Sequence, residues 1–186
     1  MSNVSNVTAS KPKTGGAVSI APLGSTLPTS ASTELDKAFT SLGYISEDGL
    51  TNANSPEIET VKAWGGDTVL TSQTSREDTF SFTLIEALDV NVLKTVYGDD
   101  NVSGTLAEGI TIKANNTELK GHCYVIDVLL SKGTVLKRTV IPNATVSEVG
   151  DLTENDTDPI GYETTLTALP DGNGNTHYTY IVTKGE

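Results

Sequence analysis

Residues 57–100 read EIETVKAWGGDTVLTSQTSREDTFSFTLIEALDVNVLKTVYGDD. β-Branched residues crowd Glu57 to Trp64 and Thr68 to Thr74. The Gly65-Gly66-Asp67 between them supplies the positive φ that a tight reversal needs, so the stretch opens on a hairpin with an aromatic near its tip. Phe80, Phe82 and Leu84 then alternate with Thr79, Ser81 and Thr83, which predicts a strand with one apolar face and one hydroxyl-lined face. Asp89 can cap a helix whose Val90, Leu93, Val96 and Tyr97 recur at helical spacing, and Gly98 can end it. Two turns of helix hold only against a sheet, so this helix is expected as a lid over neighbouring strands.

Outward from this stretch the chain continues as short strands and turns. Residues 1–16 are polar, carry only positive side chains and end in two glycines, which predicts a flexible N-terminal arm. Residues 17–186 read as a single β-rich domain. It begins with a strand from Ala17 to Ala21, an extended loop punctuated by Pro22, Gly24 and Pro28, and a helical turn of Leu35, Ala38 and Phe39 behind Thr33. Gly43 ends that turn, Tyr44 starts a strand, Glu47-Asp48-Gly49 makes a turn, and Thr51 to Pro56 connects to the hairpin. On the other side, Asp99 to Glu108 reads as loop and Ile110 to Ala114 as a strand. Glu118 to Leu130 and Thr134 to Ile141 form a hairpin about Ser131-Lys132-Gly133, with Tyr124, Ile126, Val128 and Leu130 on one face and Asp127 on the other. Ile160 to Leu169 is expected to pair with Thr176 to Thr183 across the turn at 170–175. The fold class is therefore mainly β: an antiparallel β-sandwich or barrel of about nine or ten strands with one short flanking α-helix.

Composition narrows the functions. Apolar residues make up 36% of the chain, below the usual ~45–50%, as strands with polar outer faces require. Twenty-four acidic against twelve basic side chains leave a net charge of −12 and a pI near 4.5. That balance works against binding a phosphate backbone, and few aromatics argue against stacking on bases. Cys123 is the sole cysteine, so no intramolecular disulfide or thiolate zinc site forms, and its mid-strand place predicts packing. No N-terminal apolar segment and no apolar run near 18 residues is present, which reads as a chain neither conventionally secreted nor membrane-spanning. Asp171-x-Asn173-x-Asn175 imitates the start of a calcium loop, but Thr176 and Val182 stand where glycine and glutamate belong, and a turn explains the same residues. His122 and His177 have no nucleophile-elbow motif beside them. No catalytic, cofactor-binding or metal-ligating residue is assigned, and the chain does not read as an enzyme.

The runs LGYISEDGL, SPEIETVKAWGGDTVL and DTFSFTLIEALDVNVLKTVYG together resemble the tail tube (major tail) protein of long-tailed bacteriophages. The likeness rests on Gly43, Tyr44, Ser46, Glu47, Asp48 and Gly49, on Trp64-Gly65-Gly66, and on Thr79-Phe80 and Glu86. It spans about residues 15 to 102, and beyond Gly104 it is one of strand pattern. The resemblance implies a structural virion protein, made in the bacterial host cytoplasm, that self-assembles into hexameric rings. Their inward sheets join into a β-barrel, and the stacked rings form a conduit for DNA ejection. Tape measure, tail terminator and distal tail proteins are the implied partners beside the chain itself, and DNA passes without specific binding. Joined to the residue pattern, it makes Trp64, Gly65, Gly66 and Asp67, with Glu47 and Asp48 in the preceding loop, the candidates for contact between rings. Trp64 has a second reading, packing back onto its own core. Thr79, Ser81, Thr83 and Asp127 are the lumen-facing candidates, while one of the neighbours Lys137 and Arg138 would share that face. The alternative to a tube subunit is a monomeric β-sandwich binding module, adhesin-like or a capsid decoration domain.

Overall fold

Strand alternation in the apolar and hydroxyl residues sets which way each element faces, and pairing then assembles them. A computed structural model describes residues 2–184; Met1 of the expected arm and residues 185–186 of the expected domain lie outside the described residues. The strands are β1 (Lys11–Pro12), β2 (Val18–Pro22), β3 (Thr40–Ser41), β4 (Ile45–Lys62), β5 (Thr68–Leu84), β6 (Val102–Thr105), β7 (Gly109–Ile112), β8 (His122–Leu130), β9 (Val135–Val149), β10 (Tyr162–Ala168) and β11 (Tyr178–Thr183). One helix of eight residues, α1 (Val90–Tyr97), follows β5. Nine strands form one antiparallel sheet in the order β3-β2-β8-β9-β10-β5-β4, with β1 beside β8 and β11 beside β9, and β6-β7 make a small separate ribbon. The mainly β, antiparallel fold with one flanking helix is the one expected.

One face of the sheet carries the core. Phe80, Phe82 and Leu84 of β5, Tyr124 and Ile126 of β8, and Leu166 of β10 are buried there beneath Val92, Leu93 and Val96 of α1. Asp89 caps the helix, its Oδ1 accepting from the Asn91 N–H at 2.7 Å, and Gly98 ends it at φ 97°. Burial of each of those three helix side chains stabilises by about 1.5–3 kcal/mol, enough to hold a helix too short to stand alone.

Three local expectations are corrected. Glu47-Asp48-Gly49 is a bulge within β4 and not a turn: Ile45 pairs with Leu84 and Leu50 with Phe82, and the chain runs on as strand through Thr51 to Pro56. The long edge of β5 needs a ladder partner, and β4 supplies it. The two last strands do not pair with each other. β10 lies beside Ala144 to Val149 and β11 beside Val135 to Val140, both antiparallel to β9, so they are two halves of one strand path interrupted by residues 169–177. Leu35, Ala38 and Phe39 form no helix. Instead, the Thr33 carbonyl accepts from the Arg138 guanidinium at 2.6 Å, as does the Ser30 carbonyl at 3.0 Å. Residues 30–33 are thereby pinned as a cover over Arg138 on the side away from the core.

Candidate functional site

From Ser55 to Glu77 every residue of the β4-β5 hairpin is exposed. The Ala63 N–H donates to the Asp67 carbonyl at 2.8 Å and the Gly66 N–H to the Ala63 carbonyl at 3.0 Å, with Gly65 and Gly66 at φ 116° and 100°. At ~3.3 Å per residue, the run from Ser55 to Trp64 carries the tip about 30 Å beyond the sheet. Trp64 is 107% exposed, so it does not pack on its own core, and Ile58, Val61, Val69 and Leu70 are exposed along the same ribbon. Val61 and Leu70 are cross-strand partners directly behind the tip. Glu47 and Asp48 lie at the other end of β4, in the bulge. The six residues expected to form one contact thus occupy two places, up to about 50 Å apart along the strand.

At the root of this arm stands Asp78, 2% exposed. Its carboxylate accepts from Asn52 Nδ2 at 2.8 Å, from His177 Nδ1 at 2.6 Å and from the Thr176 hydroxyl. Burial pushes its pKa up, but the hydrogen bonds from Thr176, Asn52 and His177 outweigh burial and hold it below the ordinary carboxylate value. This cluster ties the 169–177 excursion to the arm, and His177 also meets Phe80 edge-on. His122 bonds Asp99 at 3.1 Å, far along the chain from this cluster. Among the described residues no group of three His, Cys, Asp or Glu comes together as a metal site.

Thr79, Ser81 and Thr83 lie half-buried on the sheet face opposite the core. Their register partners on that face are Ala53 and Thr51 of β4 and Thr167, Thr165 and Glu163 of β10. The Ser81 and Thr165 hydroxyls meet at 2.9 Å, and Thr167 donates to Ser147 Oγ at 2.8 Å. Ser55 and Glu77 continue the panel outward, and none of these paired positions holds Lys or Arg. Asp127 shares the face by register but not the exposure. It is 8% exposed beneath residues 30–33, its oxygens taken by Arg138 Nε at 2.6 Å and Nη2 at 2.8 Å. Arg138 itself is 1% exposed, and Lys137 points to the core side. Neither of these basic residues lies in the open part of the panel.

A nine-stranded antiparallel sheet with a flanking helix and a projecting, exposed ribbon defines a mainly β protein. The model of the family described as phage tail tube protein matches residues 5–185, nearly the whole chain, and the chain belongs to that family. It is not an enzyme family, and its members are structural components of the phage tail. No curated protein matches the chain. No helix among the described residues is long and apolar enough to cross a membrane.

Proposed function

We propose that the chain forms hexameric rings that stack into the tail tube, with DNA passing through the bore during ejection, and that the arm tip at Trp64 to Asp67 bridges one ring to the next. The observation that carries this is the ribbon from Ser55 to Glu77, in which every residue is exposed. An isolated two-stranded ribbon is marginal in water, and an exposed tryptophan at its end becomes favourable only against a partner. The number six follows from the family resemblance. Ring closure also suits the open outer edges of β4 and β11, which pair on one side only. The hydroxyl panel of Thr79, Ser81 and Thr83 lines the bore in this arrangement, while Asp127, covered and paired, does not. Residues 1–16 act as an arm laid on the sheet: Lys11 and Pro12 rest on β8, and Thr8 Oγ1 accepts from the Ser131 N–H at 2.7 Å. Tape measure, tail terminator and distal tail proteins complete the assembly, which is built in the host cytoplasm.

Trp64→Ala tests the proposal. Because the side chain is fully exposed, the variant folds and melts like the parent. Tubes seen by negative stain for the parent are lost or need roughly tenfold more protein, the cost of one interface anchor. Unimpaired tubes in the variant would sink the role of the tip. A parent chain that elutes as a compact particle under all assembly conditions would sink the tube and favour a monomeric module.

A further inference from the structure

The part of the core face that α1 leaves uncovered ends in a groove of about 390 Å³ at the arm's own root. Phe80 and Ile126 form its floor, and Leu50 and Val128 lie half-buried along it. Lys11, Lys137, Glu47 and Thr179 complete its lining. We propose that this groove receives the arm tip of a second copy, Trp64 entering over Phe80 and Ile126 with the Val61 and Leu70 pair behind it. The inference rests on the tube reading and adds the acceptor that reading lacks.

Three observations select this occupant. First, the tip carries the chain's one tryptophan, wholly exposed, and the groove offers an apolar floor of matching chemistry. Second, the charges complement: the groove holds Lys11, Lys137 and Glu47, and the tip carries Asp67 and Lys62, so each charge of the tip finds an opposite partner in the groove. Third, a chain cannot fill its own groove, because the extended ribbon from Asn52 to Trp64 holds the tip roughly 40 Å away. A tip and a groove at opposite ends of one ribbon make a heterologous contact, which builds a stack when it repeats along the ribbon's direction. The ribbon then acts as a ruler. Successive rings are spaced by no more than about 40 Å, and by less if the ribbon tilts.

Full-length Ala63→Cys and Thr179→Cys chains, mixed and assembled, give the test. The native Cys123 is 1% exposed and does not compete. Tip-to-groove docking yields disulfide-linked dimers in mixed tubes, ladders in tubes of the double variant, and neither in dissociated chains. Lys11→Glu with Lys137→Glu raises the protein concentration needed for tubes several-fold, and adding Asp67→Lys brings it back toward the parent value. Tubes that assemble normally without cross-linking, or rings spaced well beyond 40 Å, would overturn the groove and leave the tube reading standing. A parent chain that never forms tubes would remove both.

Discussion

Asp127→Asn separates a structural from a bore-lining aspartate. The substitution keeps the shape of the side chain and removes its charge, leaving a guanidinium that is 1% exposed without its counter-ion. Arg138 would retain the Ser30 and Thr33 carbonyls at 3.0 and 2.6 Å, which satisfy one nitrogen but do not neutralise the charge. Removing one partner of a buried ion pair costs about 3–5 kcal/mol. Lys13, 3.4 Å from Asp127 with half its side chain exposed, adds little. For a chain of this length about 2–4 °C is lost per kcal/mol, so the melting temperature falls by about 6–20 °C. Thermal unfolding by circular dichroism measures it, and limited proteolysis of residues 22–39 reports whether the cover has loosened. Asp127→Leu with Arg138→Met recovers part of the loss, since the buried charge goes but the two loop carbonyls lose their donor. An Asp127→Asn chain melting within about 2 °C of the parent would refute this and return the residue to the bore.

Asp78→Asn weakens the root of the arm and costs about 1–3 kcal/mol in urea unfolding, because charge-assisted bonds from Asn52, Thr176 and His177 are lost. The folded pKa of Asp78 lies below its unfolded value, so its contribution is fully present above about pH 4 and is lost as pH falls through the lower, folded value; the parent should lose stability more steeply than Asp78→Asn in that acid window. Gly43→Ala should destabilise by about 1–3 kcal/mol, read by the same unfolding assay, since Gly43 sits at φ 71° where a Cβ would run into the Glu86 carboxylate that accepts from the Tyr44 N–H at 2.8 Å. Cys123, whose thiol pKa burial pushes up, should stay unmodified by iodoacetamide in the folded chain and react on unfolding; rapid labelling of the native protein would contradict its packing.

What the sequence made legible was local. The helix over Val90 to Tyr97 could be read because its cap, its apolar stripe and its terminating glycine all lie within ten residues. The hairpin tip was legible for the same reason, but not the hairpin's length. A ribbon exposed on both faces shows no burial alternation, and Asn52, Asn54 and Pro56 carry turn chemistry into what pairing makes a strand. The turn at 170–175 is legible, yet its flanking strands go to β9, because register is decided by partners from fifteen (Thr164 and Val149) to forty-eight (Thr183 and Val135) residues away. Alternation put Asp127 on the right face without showing what covers that face, since the cover comes from residues 30–33, almost a hundred positions earlier. One signal went unused. Counting back from Ser131-Lys132-Gly133 sets Asp127 opposite Lys137, and Thr134 joining the turn moves it to Arg138; either way an acid faces a base, and oppositely charged cross-strand neighbours are an ion pair before they are anything else.

The hydroxyl panel changes what the acidic balance does in a tube. Thr79, Ser81 and Thr83 are half-buried, where a carboxylate would bear a desolvation cost that a hydroxyl avoids by bonding its neighbour, as Ser81 does with Thr165. On the bore reading the channel wall is therefore uncharged and self-satisfied around Ser81 and Thr79, with Glu77 at its outer end, Glu163 beside Thr83 and Glu148 beside Thr165. Phosphates held by lysine or arginine release counterions, and each such contact would tether the passing genome. A wall of paired hydroxyls avoids tethering without a dense run of negative charge. The surplus of acidic residues then acts at longer range, keeping phosphates from settling on the wall, while close contact is left to groups with no net charge.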